Sequence, residues 1–390
     1  WGGPGFYYEL PNDDMPTETY AVLHVLASLV VAGLVFFPKL KVRASASAIF
    51  LCALVFRVVM VFGAPIHESD FYRYLWDGKV AAAGMNPYQF EPGALFLLEQ
   101  EITFEFDDQN TGVTWHGREF SEADRKALAK LSSLRDENPE LFHRVSHQAV
   151  TTIYPPVAQG VFWLSHLLFG ESSWGLKCVL LCFDLAAVIL VLALLKLIRL
   201  PVIWSILYAW HPLVLKEFAN SAHYDAVPIC FTLLALWLVL KNKAGLGVVS
   251  LAAGTLAKYF SVLLLPVLIL AQREKAGWQW LWAKRSWLLA GVFLGLLVLA
   301  FLPYRIWGDV QWAQVFSGLG AYQAHWVYNA GAFAVIDHLV VGLGGEKVVI
   351  AKKVVGVALC VIVAMVALQS NKDGSPLHLI QKFGFVVASL

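Results

Sequence analysis

Charge is what this sequence has least of. Only 15% of its 390 residues are Asp, Glu, Lys or Arg, against about a quarter in an ordinary soluble domain. A net charge of +1 leaves no basic surplus for a nucleic acid partner. Cysteine is scarce too. Cys52, Cys178, Cys182, Cys230 and Cys360 all fall in apolar runs, which excludes a disulfide framework. Cys178 and Cys182 lie four apart inside a helical run rather than in a metal-binding loop. There is no internal repeat and no low-complexity segment. His143 and His147 have the spacing of a helical zinc site, but no glutamate follows the first and no third ligand is evident.

What is abundant is apolar sequence. The chain is 58% hydrophobic, with mean hydropathy +0.63. Apolar runs of about 18 residues or more recur, which sets the class as an all-α polytopic membrane protein of about 10–12 transmembrane or half-transmembrane helices. Fifteen Trp and thirteen Tyr suit a protein with two membrane interfaces to line. The chain begins Trp1-Gly2-Gly3 without Met and stops at Val386-Val387-Ala388-Ser389-Leu390 in an apolar run, so a longer protein is expected at both ends.

The chain reads as one membrane-embedded domain over residues 1–390. Residues 1–19 form a polar loop, and spans are expected at 20–37 and 46–64. Lys39, Lys41 and Arg43 between them should face the cytoplasm. Residues 65–152 are then a large extracytoplasmic first loop. Ser121-Glu122-Ala123-Asp124 predicts a capping box ahead of Leu128, Leu131 and Leu134. Asn138-Pro139 predicts an N-cap with proline at the first helical position. Both predict amphipathic helices lying on the membrane surface. Apolar runs resume at 153–169, 175–198, 202–216, 226–241, 246–271, 286–303, 330–343, 348–369 and 379–390. Basic clusters flank the 246–271 run on both sides, so two half-helices meeting near Lys258 are expected there. The 153–198 stretch has the same parity conflict, which the sequence leaves unresolved.

The densest chemistry follows the second span: His67-Glu68-Ser69-Asp70-Phe71-Tyr72-Arg73-Tyr74-Leu75-Trp76-Asp77-Gly78. A helix starting near Ser69 would put Asp70, Arg73 and Asp77 on one face, with Asp70 at the end where the macrodipole favours the carboxylate. A carboxylate there suits a general base for a hydroxyl, and equally a solvated loop with a capping aspartate. Arg57, inside the second span, either pairs with a neighbouring helix or meets an anionic headgroup. His223 and Asp225 sit at a helix mouth, to bind a polar substrate or to cap. Lys258 lies in the middle of an apolar run, where a phosphate or a buried carboxylate would compensate it. Tyr154-Pro155-Pro156 reads as a rigid helix entry. Pro303-Tyr304-Arg305 precedes a second polar cluster, Tyr322-Gln323-Ala324-His325-Trp326-Val327-Tyr328-Asn329. His325 there is either an acid–base group or an interfacial residue.

Together these residues resemble the GT-C glycosyltransferases, and within them the bacterial mannosyltransferases that use polyprenyl-phosphate-mannose. The resemblance is carried by Arg73-Tyr74-Leu75-Trp76-Asp77-Gly78 with Gly84-Met85-Asn86-Pro87-Tyr88, by Tyr154-Pro155-Pro156, and by Pro212 with His223 and Asp225. Lys258-Tyr259 and His325-Trp326 with Asn329, Gly331 and Phe333 complete it, over about residues 65–335. It implies a lipid-phosphate sugar donor, an inverting transfer and a catalytic aspartate in the first external loop. Carried over, that aspartate is Asp70. Glu68-Ser69-Asp70 departs from a plain Asp-X-Asp, so Glu68 shares the candidate role. Lys258, with Arg57 or Arg305, would hold the donor phosphate. Tyr72, Trp76 and His325 would shape the sugar pocket. Arg73, Asp77, Asn86, Tyr154, His223, Asp225 and Asn329 are candidate sugar or acceptor contacts. No cofactor is firmly implied, and a divalent ion on Glu68 and Asp70 would have too few oxygens. The partners implied are a polyprenyl-phosphate-sugar, a lipid or glycan acceptor and membrane lipids. The expected location is the bacterial inner membrane, with the site facing the periplasm. Two other readings stay open: a lipid-linked-sugar transporter or flippase, and a non-catalytic subunit of the same fold.

Overall fold

The computed structural model describes residues 17–37, 44–66, 69–95, 103–106, 113–115, 121–270, 283–308, 310–325, 335, 347–369 and 376–388. Two apolar helices open it, α1 (Thr17–Phe36) and α2 (Ala46–Val61). α2 starts where the Ser45 hydroxyl accepts the Ala48 amide at 3.1 Å, satisfying a donor that has no partner inside the helix. α1 leaves Leu23, Leu26, Leu29 and Val30 exposed, the face that lipid would cover.

The first loop folds as a helical cap. α3 (Asp70–Ala82) leads it, followed by a short antiparallel hairpin of β1 (Thr103–Phe106) and β2 (Val113–Trp115). These are the only strands among the described residues, and the all-helical expectation did not include them. The predicted capping box forms at the start of α4 (Glu122–Glu137). Ser121 Oγ accepts the Asp124 amide at 3.1 Å, and Asp124 Oδ2 accepts the Ser121 amide at 3.2 Å. Asn138 Oδ1 accepts the Leu141 amide at 3.0 Å and starts α5 (Pro139–His143). One expectation is corrected here. Leu128, Leu131 and Leu134 do not face a membrane surface. They are buried in one cluster with Trp76, Val80, Phe90 and Phe142, so the apolar face of α4 is used up inside the cap. α5 ends at His143, and His147 lies beyond it with φ +53, so the two histidines do not share a helix face.

Next come α6 (Pro156–Phe169) and α7 (Ser173–Leu197). α6 ends at Gly170, whose φ of +62 a side chain would resist. Just past it, the Glu171 carboxylate takes Lys79 Nζ of α3 at 2.6 Å and the Asn138 amide of the cap. α6 therefore begins and ends on the side of the cap, and only α7 leaves it. Of the two helices in residues 153–198, only α7 is long and apolar enough to cross a membrane. α6 and α3 touch backbone to backbone. A Cβ on Gly78 would stand 2.5 Å from the Phe162 carbonyl oxygen.

After an irregular stretch with a π-helical segment at Leu215–Asn220 comes a hairpin of α8 (Ala226–Leu240) and α9 (Ala244–Ala257). α9 stops at Lys258, whose backbone is extended (φ −153, ψ 128). A 3-10 segment, Tyr259–Leu264, then leads into α10 (Leu265–Leu270). α10 runs back beside α9, with Val267 and Leu268 in one core with Val248 and Leu251. Two half-helices thus meet at Lys258, as the basic flanks require. α11 (Lys284–Ile306), α12 (Ser317–His325), α13 (Lys347–Leu368) and α14 (Pro376–Ala388) complete the chain.

Three described helices are long and apolar enough to cross a membrane: Glu18–Phe36, Ser173–Leu197 and Lys284–Ile306. Five shorter apolar segments of 10–17 residues accompany them. At about 1.5 Å per residue, the 14 residues of α6 or α9 reach only about 21 Å, short of a hydrocarbon core of about 30 Å. The fold is that of an all-α membrane protein.

Candidate functional site

A cavity of about 660 Å³ lies where the cap meets the break at Lys258. Asp70, Arg73 and Tyr74 of α3 form one wall, and residues 146–155, at the end of the cap, form another. His223 and Tyr224 come from the mouth of α8, Lys258, Tyr259 and Phe260 from the helix break, and Leu319 and Tyr322 from α12. Segments spread over some 250 residues of sequence thus converge, and Asp70, Arg73, Tyr154, His223 and Lys258 among the predicted residues meet here.

Asp70 is the first residue of α3, with Ser69 as its N-cap, so its carboxylate stands where helix amides converge. Ser146 Oγ donates to Asp70 Oδ1 at 3.3 Å. One turn on, Arg73 is held in place. Its Nε donates to Asp77 Oδ1 at 2.9 Å, and its Nη1 to the carbonyls of His147 and Val150 at 3.3 and 3.0 Å. His147 sits beside this pair. Burial lowers its pKa, Asp70 raises it and Arg73 lowers it, for a net value below the usual histidine range.

On the facing wall, Lys258 Nζ donates to Asp225 Oδ1 at 2.6 Å and lies 5.3 Å from the centre of the Tyr224 ring. The same carboxylate receives His223 Nδ1 at 3.2 Å through Oδ2. Burial pushes the Asp225 pKa up, but the hydrogen bond from His223 and the charge of Lys258 outweigh it and hold the carboxyl below the usual range. Asp225 is the N-cap residue of α8 by position, yet its side chain makes no capping bond, so capping is not its role. Behind this wall Tyr74, Tyr154, Phe162 and Tyr224 form an aromatic box. Tyr74 stacks on Phe162 at 4.7 Å, and Tyr154 and Tyr224 meet edge to face at 5.2 Å.

Other expected site residues lie elsewhere. Arg57 is fully buried between α2 and α7. It makes two bonds to Asp184, at 2.6 and 3.1 Å, and donates to the Ala53 and Ala209 carbonyls. Its guanidinium is consumed by protein acceptors, which corrects the phosphate role. Trp76 packs edge to face on Phe142, 5.0 Å away, inside the cap and not on the cavity wall expected of it. Asp77 is buried and accepts from Arg73, from Thr152 Oγ1 at 2.6 Å and from Gln159 Nε2 at 2.9 Å, so it organises the wall instead of meeting a ligand. Asn86 donates to the Tyr304 and Trp307 carbonyls at 2.6 and 2.7 Å, tying the cap to the end of α11. Tyr72 takes Arg144 Nη1 at 2.8 Å and does not line the cavity. Arg305 is half-buried in the last turn of α11 and is not among the lining residues. Glu68 and Asn329 lie outside the described residues, as does the side chain of His325, whose backbone closes α12 three residues after Tyr322.

Sequence reasoning missed Ser146, His147, Tyr224 and Phe260. The φ of +53 at His147 is a backbone signal that no residue pattern displayed. Among the described residues, no three His, Cys, Asp or Glu side chains gather as a metal would require.

The fold and cavity define a class: a helical membrane protein with a folded cap over a polar and aromatic chamber at a broken helix. No protein-family model, no curated protein and no solved structure matches the chain.

Proposed function

We propose that this protein is a membrane glycosyltransferase. It would move a sugar, with mannose the best candidate, from a polyprenyl-phosphate-sugar to a hydroxyl of a lipid or glycan on the extracytoplasmic face. The observation that carries this is the single cavity that faces a helix-terminal carboxylate, Asp70, with an ammonium, Lys258, among aromatic rings. A sugar ring offers an apolar face to Tyr154, Tyr224, Tyr259 and Tyr322, and hydroxyls to their polar edges. The cavity volume lies within the usual range of about 300–1,000 Å³ for small-molecule sites.

In this reading Asp70 takes the proton of the acceptor hydroxyl. The acceptor oxygen bonds to the anomeric carbon from the face opposite the phosphate, and the bond from that carbon to the phosphate oxygen breaks. Its electron pair leaves with the phosphate, whose growing charge Lys258 stabilises. The configuration inverts.

The test is Asp70→Asn in membranes supplied with labelled polyprenyl-phosphate-mannose. A general base contributes typically about 10²–10⁴-fold, so transfer should fall by that factor with the folded yield unchanged. Undiminished transfer by the folded variant would overturn the assignment. One observation favours a second reading, a flippase for the same lipid. Broken helices around a central site also occur in transporters. Product analysis separates the two, because a flippase leaves the sugar–phosphate bond intact.

A further inference from the structure

A second cavity, of about 830 Å³, lies against another face of α12. Leu319 and Tyr322 line the first cavity, whereas Gly320, Gln323 and Ala324 line the second. Its other wall is α13, from Lys352 and Lys353 past Gly356 to Ala364. The lining is apolar and small apart from one end. A Cβ on Gly320 or Gly356 would meet nothing within 4 Å. The exception is the pair of lysines. Lys352 Nζ donates to the Gln323 and Ala324 carbonyls in the last turn of α12. Lys353 is exposed beside it, and among the described residues neither lysine pairs with a carboxylate.

The groove has a direction. α12 starts against the end of the cap, where Thr151 Oγ1 and Ser317 Oγ share a hydrogen bond of 2.9 Å. The far end of α13 lies away from the cap. Val363 and Val366 share a core there with Val239 and Ala244, at the turn of the α8–α9 hairpin. The lysines therefore mark the cap-side end. From Lys353 to Ala364 the helix rises about 17 Å, close to half of a hydrocarbon core of about 30 Å. A small soluble anion would leave the apolar wall bare. A neighbouring apolar helix would leave the two ammonium groups without a counter-charge. An anionic headgroup above a hydrocarbon chain answers both ends at once.

We propose that the α12–α13 groove is a site for one anionic phospholipid of the cap-side leaflet. Its headgroup phosphate meets Lys353 and the remaining N–H of Lys352. One acyl chain runs past Gly356 to Ala364. The lysine stems cover apolar surface while their ammonium groups reach up to the headgroup. Lys352 also holds the end of α12, so the lipid braces from outside the helix that carries Leu319 and Tyr322 into the first cavity. The inference is independent of the reaction proposed above.

The experiment is native mass spectrometry of the whole chain, released from detergent after titration with dioleoyl phosphatidylglycerol or dioleoyl phosphatidylcholine. The wild-type protein should retain one phosphatidylglycerol in preference to phosphatidylcholine. Lys353→Gln should lower that preference about fivefold, the scale for one lysine at an anionic lipid surface, with phosphatidylcholine binding within about twofold. Gly356→Leu fills the groove where there is room for a side chain, and should abolish retention of both lipids with melting in detergent unchanged. A preference untouched by Lys353→Gln, or lipid still retained by Gly356→Leu, would overturn the site. So would undecaprenyl phosphate displacing phosphatidylglycerol at equal concentration, since the groove would then belong to a polyprenyl chain. A dimer of the wild-type protein that Gly356→Leu dissociates would assign the groove to a second copy, and overturns the proposal too.

Discussion

Two of the cation–carboxylate pairs among the described residues, Arg57–Asp184 and Lys258–Asp225, differ in almost every respect but charge. Arg57 and Asp184 are both fully buried, joined by two hydrogen bonds, with backbone carbonyls and Tyr208 Oη at 2.9 Å completing the shell. Lys258 and Asp225 share one contact, keep 39% and 24% of their side chains exposed, and line or adjoin a cavity. In the first pair four of the five guanidinium N–H groups go to protein acceptors, and neither side chain is exposed. The second has an ammonium with further donors and an open side. Enclosure and geometry, not the presence of a charge in an apolar run, separate a structural pair from a candidate working one.

Breaking the sealed pair should have the largest effect. Arg57→Ala leaves Asp184 charged and without its cation in a buried site, at a cost of about 3–5 kcal/mol. Thermal unfolding in detergent should show a large loss of folded protein. Arg57→Met with Asp184→Leu should recover most of it, since removing both partners leaves no charge behind. Breaking the open pair should act on turnover instead. Lys258→Met should lower transfer by about 10²–10³-fold, the scale for losing one transition-state donor, with little change in melting. Equal melting losses for the two variants would erase the comparison. Asn86→Ala comes next. It leaves the Tyr304 and Trp307 carbonyls and the Tyr88 amide without their partner, at about 1–3 kcal/mol, measurable as a lower denaturation midpoint. The smallest effect is with pH. The Asp225 carboxyl is held below its usual range, so its stabilising contribution is complete above about pH 4, the unfolded value, and fades as pH falls further toward the folded value. The melting difference between wild type and Asp225→Asn should therefore persist from neutral pH to about 4 and close below it.

Much of the architecture was legible because its causes are local. The capping box at Ser121, the N-cap at Asn138 and the start of α3 at Asp70 each depend on a few adjacent residues, and each appears where the sequence puts it. The half-helix break at Lys258 was legible from charge parity alone. What could not be read were partners distant in sequence. Asp184 lies 127 residues from Arg57, and Tyr304 lies 218 residues from Asn86. No local pattern distinguishes a polar residue that meets a ligand from one that ties two segments together. The same limit applied to α4, whose apolar stripe would suit a membrane surface or a protein core equally well. Within the candidate site, Asp70, His223 and Lys258 stood out because they are charged or titratable in apolar surroundings. The aromatic walls did not, since aromatic residues are common throughout this chain.

The close passage of α3 across α6 has a further consequence. With no side chain on Gly78, the two backbones meet without a cushion, and α3 is packed directly on α6. The carboxylate at its first residue thus sits on a helix already braced against α6. Little of the binding free energy would be spent on ordering that wall, and an arriving ligand would meet a mould rather than shape one. A methyl group added at Gly78, a position with no chemistry of its own, would then be felt as weaker binding at the far end of the helix.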